Sequence, residues 1–118
     1  MYVSVTRSVE GSGMESIHVD DILFLETSQS RILVHTNDGV YYVPNTLERW
    51  MRAFDSIGQQ FEMVDRCSIA NLKRVTRLDP VWCRLHFDDG SSEGVKPCNV
   101  ARRHYRKVAK KIEEMRKA

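Results

Sequence analysis

The chain has 118 residues, 42% of them hydrophobic and 29% charged, so it is long enough for one globular domain with a core and too short for two. It has neither an apolar run near the ~20 residues of a membrane span nor a secretory signal at its N-terminus, and we expect a cytoplasmic protein with no membrane partner. The net charge is +2, but residues 98–118 hold eight Lys or Arg and two Glu and carry +6, which leaves −4 on the preceding 97 residues and excludes a uniformly basic surface.

The first part of the chain predicts short antiparallel strands. Alternating apolar and polar residues predict a strand over Tyr2–Arg7, and two more are expected over Ser16–Val19 and Ile22–Glu26. The unbroken apolar run in the third indicates a strand buried on both faces. After a polar loop that leads to Arg31, a strand is predicted over Ile32–Thr36. An Asn-Asp-Gly turn connects it to a strand over Val40–Val43.

One helix is predicted over Thr46–Ser56. Asn45 and Glu48 have the spacing of a capping box, and Gly58 is placed to end the helix. Apolar residues recur every three or four positions, which predicts a buried stripe and not a cofactor site. The stripe consists of Leu47, Trp50, Met51 and Phe54.

The middle of the chain contains a corner between strands on which the functional hypothesis depends. Its pattern predicts a strand from Phe61 that carries Ile69, a polar corner at Asp65–Ser68, and a second strand from Lys73. An arginine at such a corner, here Arg66, is suited to bind phosphate or the acceptor edge of guanine. The ordinary alternative is an exposed arginine on a β-turn.

The strand from Lys73 is expected to continue over Val75–Leu78. Two further strands are expected over Val81–Phe87 and Ser91–Lys96, with a turn at Asp88-Asp89-Gly90 between them. Alternate residues of the first of these, starting with Val81, are expected to face the core. About eight or nine short strands with one embedded helix indicate a mainly β, antiparallel fold.

The basic segment 98–118 predicts an amphipathic helix from a cap at Asn99 to about Arg116. Its apolar residues alternate in steps of four and three, which predicts a packing seam on this domain or on a partner helix. The cations of its other faces are typical of a solvated surface, with phosphate contact as the alternative. The seam consists of Ala101, Tyr105, Val108, Ile112 and Met115.

The remaining chemistry-bearing residues are scattered. Cys67, Cys83 and Cys98 form no C-x-x-C pair and are odd in number, which opposes a disulfide framework or a zinc site and is typical of a reducing compartment. The sequence has no carboxylate pair, no nucleophile with a base and no glycine-rich phosphate loop. We therefore expect no metal, no cofactor and no enzymatic activity.

Several pieces of the sequence, in this order and spacing, resemble the LytTR family of bacterial DNA-binding domains, the output modules of LytR/AlgR-type response regulators in two-component systems. The pieces are VDDILFLE, RILVHTNDG, PNTL, FEMVDRCSIANL, RVTRL and FDDG. The resemblance covers roughly residues 17–105. It implies a mainly β fold of small packed antiparallel sheets, with one embedded helix (about 46–57) and a basic C-terminal helix (about 99–116), that reads DNA through loops between strands.

The resemblance also implies which regions contact DNA: a first loop, the corner at Arg66, and a basic position after the last strand. The family commonly has a Ser-Arg pair at that last position, whereas this chain has Lys96-Pro97-Cys98. Lys96 is therefore the first choice there and Arg102 the second, although lysine cannot reproduce a bidentate guanidinium contact. Asn71 is expected to cap a turn. The full candidate set is Gln29, Ser30, Arg31, Arg66, Ser68, Lys73, Lys96 and Arg102.

The leading hypothesis is a single LytTR-like domain over residues 1–118 that acts as a sequence-specific regulator of transcription. Its expected partner is double-stranded promoter DNA with direct-repeat-like sites, bound by a homodimer in solution or on DNA only. The alternative is a protein-interaction module that dimerises through the C-terminal helix. The chain is too short for a phospho-acceptor domain as well; Met1 and the strand at its start favour a stand-alone regulator over an excised output domain.

Overall fold

A computed structural model describes residues 1–88 and 95–117. Seven strands form one antiparallel sheet: β1 (Tyr2–Thr6), β2 (Met14–His18), β3 (Phe24–Ser28), β4 (Arg31–Thr36), β5 (Gly39–Val43), β6 (Phe61–Asp65) and β7 (Ser68–Asn71). A second sheet contains β8 (Arg77–Asp79), β9 (Arg84–His86) and β10 (Cys98–Asn99). The helices are α1 (Leu47–Ser56) and α2 (Arg102–Lys117). The mainly β fold with one embedded and one C-terminal helix is confirmed.

The large sheet has the spatial order β2-β1-β5-β4-β3-β7-β6 and lies between two cores. Leu25 of β3 points into the core that contains Phe54 of α1, whereas its neighbour Phe24 points into the core that contains Ile112 of α2 and the small sheet. The apolar run Ile22–Leu25 is therefore buried on both sides, as predicted. In the described residues, neither helix is long and apolar enough to cross a bilayer.

The helix α1 begins one residue later than the capping box predicts. Asn45 has a positive φ of 78°, and the cap is Thr46, whose hydroxyl accepts a hydrogen bond from the backbone N–H of Arg49 at 3.3 Å. The Asn45–Glu48 capping box is therefore wrong. Gly58, with a φ of 72°, lies just beyond the helix, as predicted.

The corner region differs from its prediction in register. Asp65 pairs with Ser68 across a turn at Arg66 and Cys67, so Ile69 belongs to the second strand and not to the first. Lys73 lies in a 3-10 turn, Leu72–Arg74, after that strand. Asn71 is fully buried and its side-chain amide donates to the backbone carbonyl of Ile22 at 2.9 Å; it stabilises the packing of a distant segment and does not cap its own turn.

The predicted strand Val81–Phe87 is shorter than its alternation indicates. The backbone N–H groups of Val81 and Trp82 both donate to the Asp79 carboxylate at 3.1 Å, so these residues form a turn and Val81 is 68% exposed instead of buried. The core positions Leu85 and Phe87 are confirmed.

The predictions for the segment before α2 have a mixed outcome. Most of the turn at Asp88-Asp89-Gly90 and of the strand Ser91–Lys96 lies outside the described residues. Residues 95–97 are irregular, and the last described strand is β10. Asn99 belongs to that strand and does not cap α2, which begins at Arg102.

The seam of α2 packs on its own domain. Val108 and Ile112 are 2% and 1% exposed in the second core, and Tyr105 and Met115 pack against it. The sequence left two possible packing partners for the seam, this domain or a partner helix. In the structure the seam packs on this domain's own core.

Candidate functional site

Two hairpin tips lie side by side at one end of the large sheet, which we call the loop end. The β3–β4 tip is Gln29–Ser30 and the β6–β7 tip is Arg66–Cys67. Strands β3 and β7 are neighbours, and the backbone N–H of Thr27 donates to the carbonyl of Cys67 at 2.9 Å. The fold therefore brings together two regions that are more than 35 residues apart in the sequence.

The β3–β4 tip is a tight two-residue turn. Gln29 and Ser30 have positive φ values of 51° and 65°, the left-handed conformation that matches the twist of a hairpin and usually needs Gly or Asn. Non-glycine residues held there store on the order of 1 kcal/mol each, and such strain is found most often at binding sites. Both side chains are exposed, as is Arg31 at the start of β4.

Arg66 is exposed at the second tip. The neighbouring carboxylate of Asp65 accepts a hydrogen bond from the backbone N–H of Arg66 at 2.9 Å, which holds the turn. Within residues 1–88 and 95–117, the guanidinium of Arg66 forms no ion pair. It is therefore open to a phosphate or a base edge.

Lys96 lies beside the loop end and is bound to a carboxylate. Its ammonium is 3.0 and 3.2 Å from the two carboxylate oxygens of Glu26, which lies on β3 opposite Ser68. The side chain of Glu26 is only 17% exposed, against 53% for Lys96. A phosphate that binds Lys96 must therefore compete with a carboxylate already in place.

The same carboxylate contacts a buried histidine. Nε2 of His35 is 3.2 Å from Oε1 of Glu26, and its ring stacks on Phe24 with centroids 4.1 Å apart. Burial lowers the pKa of His35, and the opposing effect of Glu26 is smaller. The imidazole is therefore neutral at pH 7, and Lys96 supplies the positive charge beside Glu26.

The first turn of α2 also belongs to the loop end. The backbone N–H of Ala101 donates to the carbonyl of Val64 on β6 at 3.0 Å, which places the exposed Arg102 close to the corner. Further along, Lys111 pairs with Glu62 at 2.8 Å, so the helix runs away from the loop end. Only the first cations of the basic helix lie near the tips.

Two predicted DNA-binding residues are not brought to this surface. Ser68 is 6% exposed, and its side chain lies against the thiol of Cys98. Lys73 follows the opposite end of β7 and forms an ion pair with Asp20, and this contact lowers the pKa of the Asp20 carboxyl. We leave both out of the proposed contact set.

Glu26 is the member of the site that sequence reasoning missed. It is 70 residues from Lys96 in the sequence and lies in a segment whose pattern predicts only a buried core strand. No local pattern reveals such a pair, because the contact depends on how Lys96 is placed against β3 in the folded domain.

Comparison with known proteins agrees with the fold. The sequence profile described as "LytTr DNA-binding domain" matches residues 12–113. Among solved structures, a LytTr DNA-binding domain from Bacillus cereus is similar, with a TM-score of 0.68, 14% sequence identity, and 95% of each chain covered. A search of curated proteins found no match.

Proposed function

Because this chain belongs to the LytTr DNA-binding domain family, we propose that it is a sequence-specific regulator of transcription that contacts double-stranded DNA through the loop end. The observation that carries the proposal is the convergence of exposed polar and cationic groups from three separate segments on one end of the molecule. They are Gln29, Ser30, Arg31, Arg66 and Arg102, with Lys96 beside them.

The chemistry of these groups is suited to a duplex. Phosphate contacts by cations and backbone amides set affinity and position, while side chains at base edges select the sequence. Arg66 has the planar donor set that binds guanine in a bidentate manner. Lys96 is a point charge already held by Glu26, so it suits a phosphate better than a base.

We further propose that two copies bind neighbouring, direct-repeat-like promoter sites, as a homodimer on the DNA, in the cytoplasm of a bacterium and as the output part of a two-component system. The alternative, a module that dimerises through the seam of α2, has little support, since Val108 and Ile112 of that seam are buried within the domain. The exposed face of α2 is mostly charged.

Substitution of Arg66 tests the proposal. A duplex selected from a random pool by the wild-type protein is the probe, and fluorescence anisotropy gives its affinity. Arg66→Ala should weaken binding by about 1 to 3 kcal/mol because it removes a bidentate base contact. The matched control is Arg52→Ala, which removes another exposed arginine, on α1, and should leave the affinity unchanged. Equal affinities for the two variants would contradict the proposed readout.

A further inference from the structure

A tryptophan is exposed at the tip of the β8–β9 hairpin, residues 80–83, which we call the tryptophan tip. Trp82 is 66% exposed and its neighbour Val81 is 68% exposed. The two hydrogen bonds from their backbone N–H groups to Asp79 hold the turn. Exposing two adjacent large apolar side chains on an ordered turn is unfavourable in water, and exposed apolar surface with a polar rim marks interaction sites.

The base of this hairpin lies at the end of the molecule opposite the loop end. In the last turn of α2, the guanidinium of Arg116 donates to the carbonyl of Val75, shortly before β8, at 3.0 Å. Since α2 runs away from the loop end, β8 starts at the far end and runs back towards it.

The tip itself lies beside the first turn of α2. The backbone N–H of Val100 donates to the carbonyl of Cys83 at 2.9 Å, and the next residue, Ala101, bonds to Val64 of β6. Burial raises the pKa of Tyr105, and the nearby Cys83 and Asp79 raise it further. The tryptophan tip is therefore at the loop end, next to the start of α2.

One guanidinium group lies over the exposed ring. The guanidinium carbon of Arg84 is 5.9 Å from the centroid of the Trp82 ring, and its Nε donates to the side chain of Asn99 at 3.2 Å. Arg102 and Arg103 are exposed at the adjacent start of α2. An aromatic side chain among arginines complements a polyanion that also has apolar sugar surface, whereas a protein partner would face several uncompensated cations.

We propose that the tryptophan tip is an additional DNA contact, in which Trp82 packs against the deoxyribose wall of the duplex next to the operator site and Arg84 faces the adjoining phosphate. The inference rests on the proposed function, and it extends the contact surface beyond the regions implied by the family resemblance. A second copy of the chain on the same DNA is the competing occupant, and the test separates the two.

The test compares Trp82→Ala with Tyr2→Ala. Tyr2 is similarly exposed, at 69%. It starts β1, and the other end of that strand, Thr6, pairs with β5 near the loop end. Tyr2 therefore lies at the end of β1 that is far from the loop end. Affinity is measured on the duplex selected by the wild-type protein and on a shortened duplex with a single site. Trp82→Ala should bind both about tenfold more weakly, because the substitution removes a large apolar contact, and Tyr2→Ala should bind like the wild type.

Three results would overturn the inference. Wild-type affinity of Trp82→Ala on both duplexes excludes the contact; if Arg66→Ala is weakened in the same series, the proposed function stands without it. Weaker binding on the paired sites alone assigns Trp82 to a contact between two copies. Absence of DNA binding by the wild-type protein overturns the inference and the proposed function together.

Fluorescence gives a second measurement that does not depend on affinity. In a Trp50→Phe variant, Trp82 is the remaining tryptophan, since the chain has two. Acrylamide should quench its emission strongly in the free protein. In the complex the quenching constant should be severalfold smaller, because the duplex covers the ring. Unchanged quenching in a saturated complex would contradict the contact.

Discussion

Single residues at the loop end have more than one duty. Glu26 neutralises Lys96 and also lies against the buried His35. The conformation of Gln29 and Ser30 costs stability but presents both side chains to solvent. Cys98, by contrast, has a purely structural position: burial raises the pKa of its thiol to about 12, so it is inert as a nucleophile.

The buried His35 should make the stability of the protein depend on pH. Because its pKa is lower in the folded protein than its ordinary value near ~6.5, the unfolded chain binds the proton more readily. The free energy of unfolding should therefore fall as the pH decreases from about 7 through the range between the unfolded-state pKa and the lower folded-state pKa. Chemical denaturation at a series of pH values, on wild type and on His35→Gln, measures it. The variant should show a shallower decrease, and parallel curves would contradict the assignment.

At the scale of elements, α2 combines packing in the core with a proposed DNA contact. Its seam closes the second core, and its first turn supplies cations to the loop end while the rest of the helix runs away from it. The hairpins behave similarly, since their strands are core elements and only their tips reach the proposed interface. Helix and hairpins therefore hold the proposed contact residues on rigid supports, which favours affinity because little order has to be gained on binding.

Substitution in the seam separates its two predicted uses. Ile112→Ala should destabilise the protein by about 2 to 5 kcal/mol, because it leaves a cavity in a core position that is 1% exposed. Lys110→Ala, on the exposed side of the same helix, should change stability by less than about 0.5 kcal/mol. Denaturant unfolding gives both values. Unchanged stability of Ile112→Ala combined with disappearance of dimers on a sizing column would favour the dimerisation alternative instead.

For the whole molecule, the distribution of charge matters more than its sum. A net charge of +2 gives little attraction to DNA. Several exposed cations are nevertheless concentrated at the loop end. Further along α2, Lys111 pairs with Glu62 and Arg116 donates to the carbonyl of Val75. This polarity should orient the domain on the duplex.

The salt dependence of binding tests that polarity. Removing one cation that binds a phosphate should reduce the slope of log K against log salt by about 1. Arg102→Ala should show this reduction, because Arg102 is at the loop end of α2. Lys117→Ala removes an exposed cation about 22 Å further along the helix and should leave the slope unchanged. An equal reduction for both variants would mean that the whole basic helix binds DNA, and a wild-type slope for Arg102→Ala would contradict its proposed phosphate contact.

The sequence by itself determined most of the strands, the two helices and the buried stripe of α1, because alternation, helical spacing and turn residues are properties of neighbouring positions. The order of its motifs also determined the family. The tertiary structure alone decided that Ser68 is buried, that Lys73 is at the far end, that Lys96 is held by Glu26, and that Trp82 lies beside the start of α2. These features depend on contacts between segments that are distant in the chain, and no local pattern encodes them.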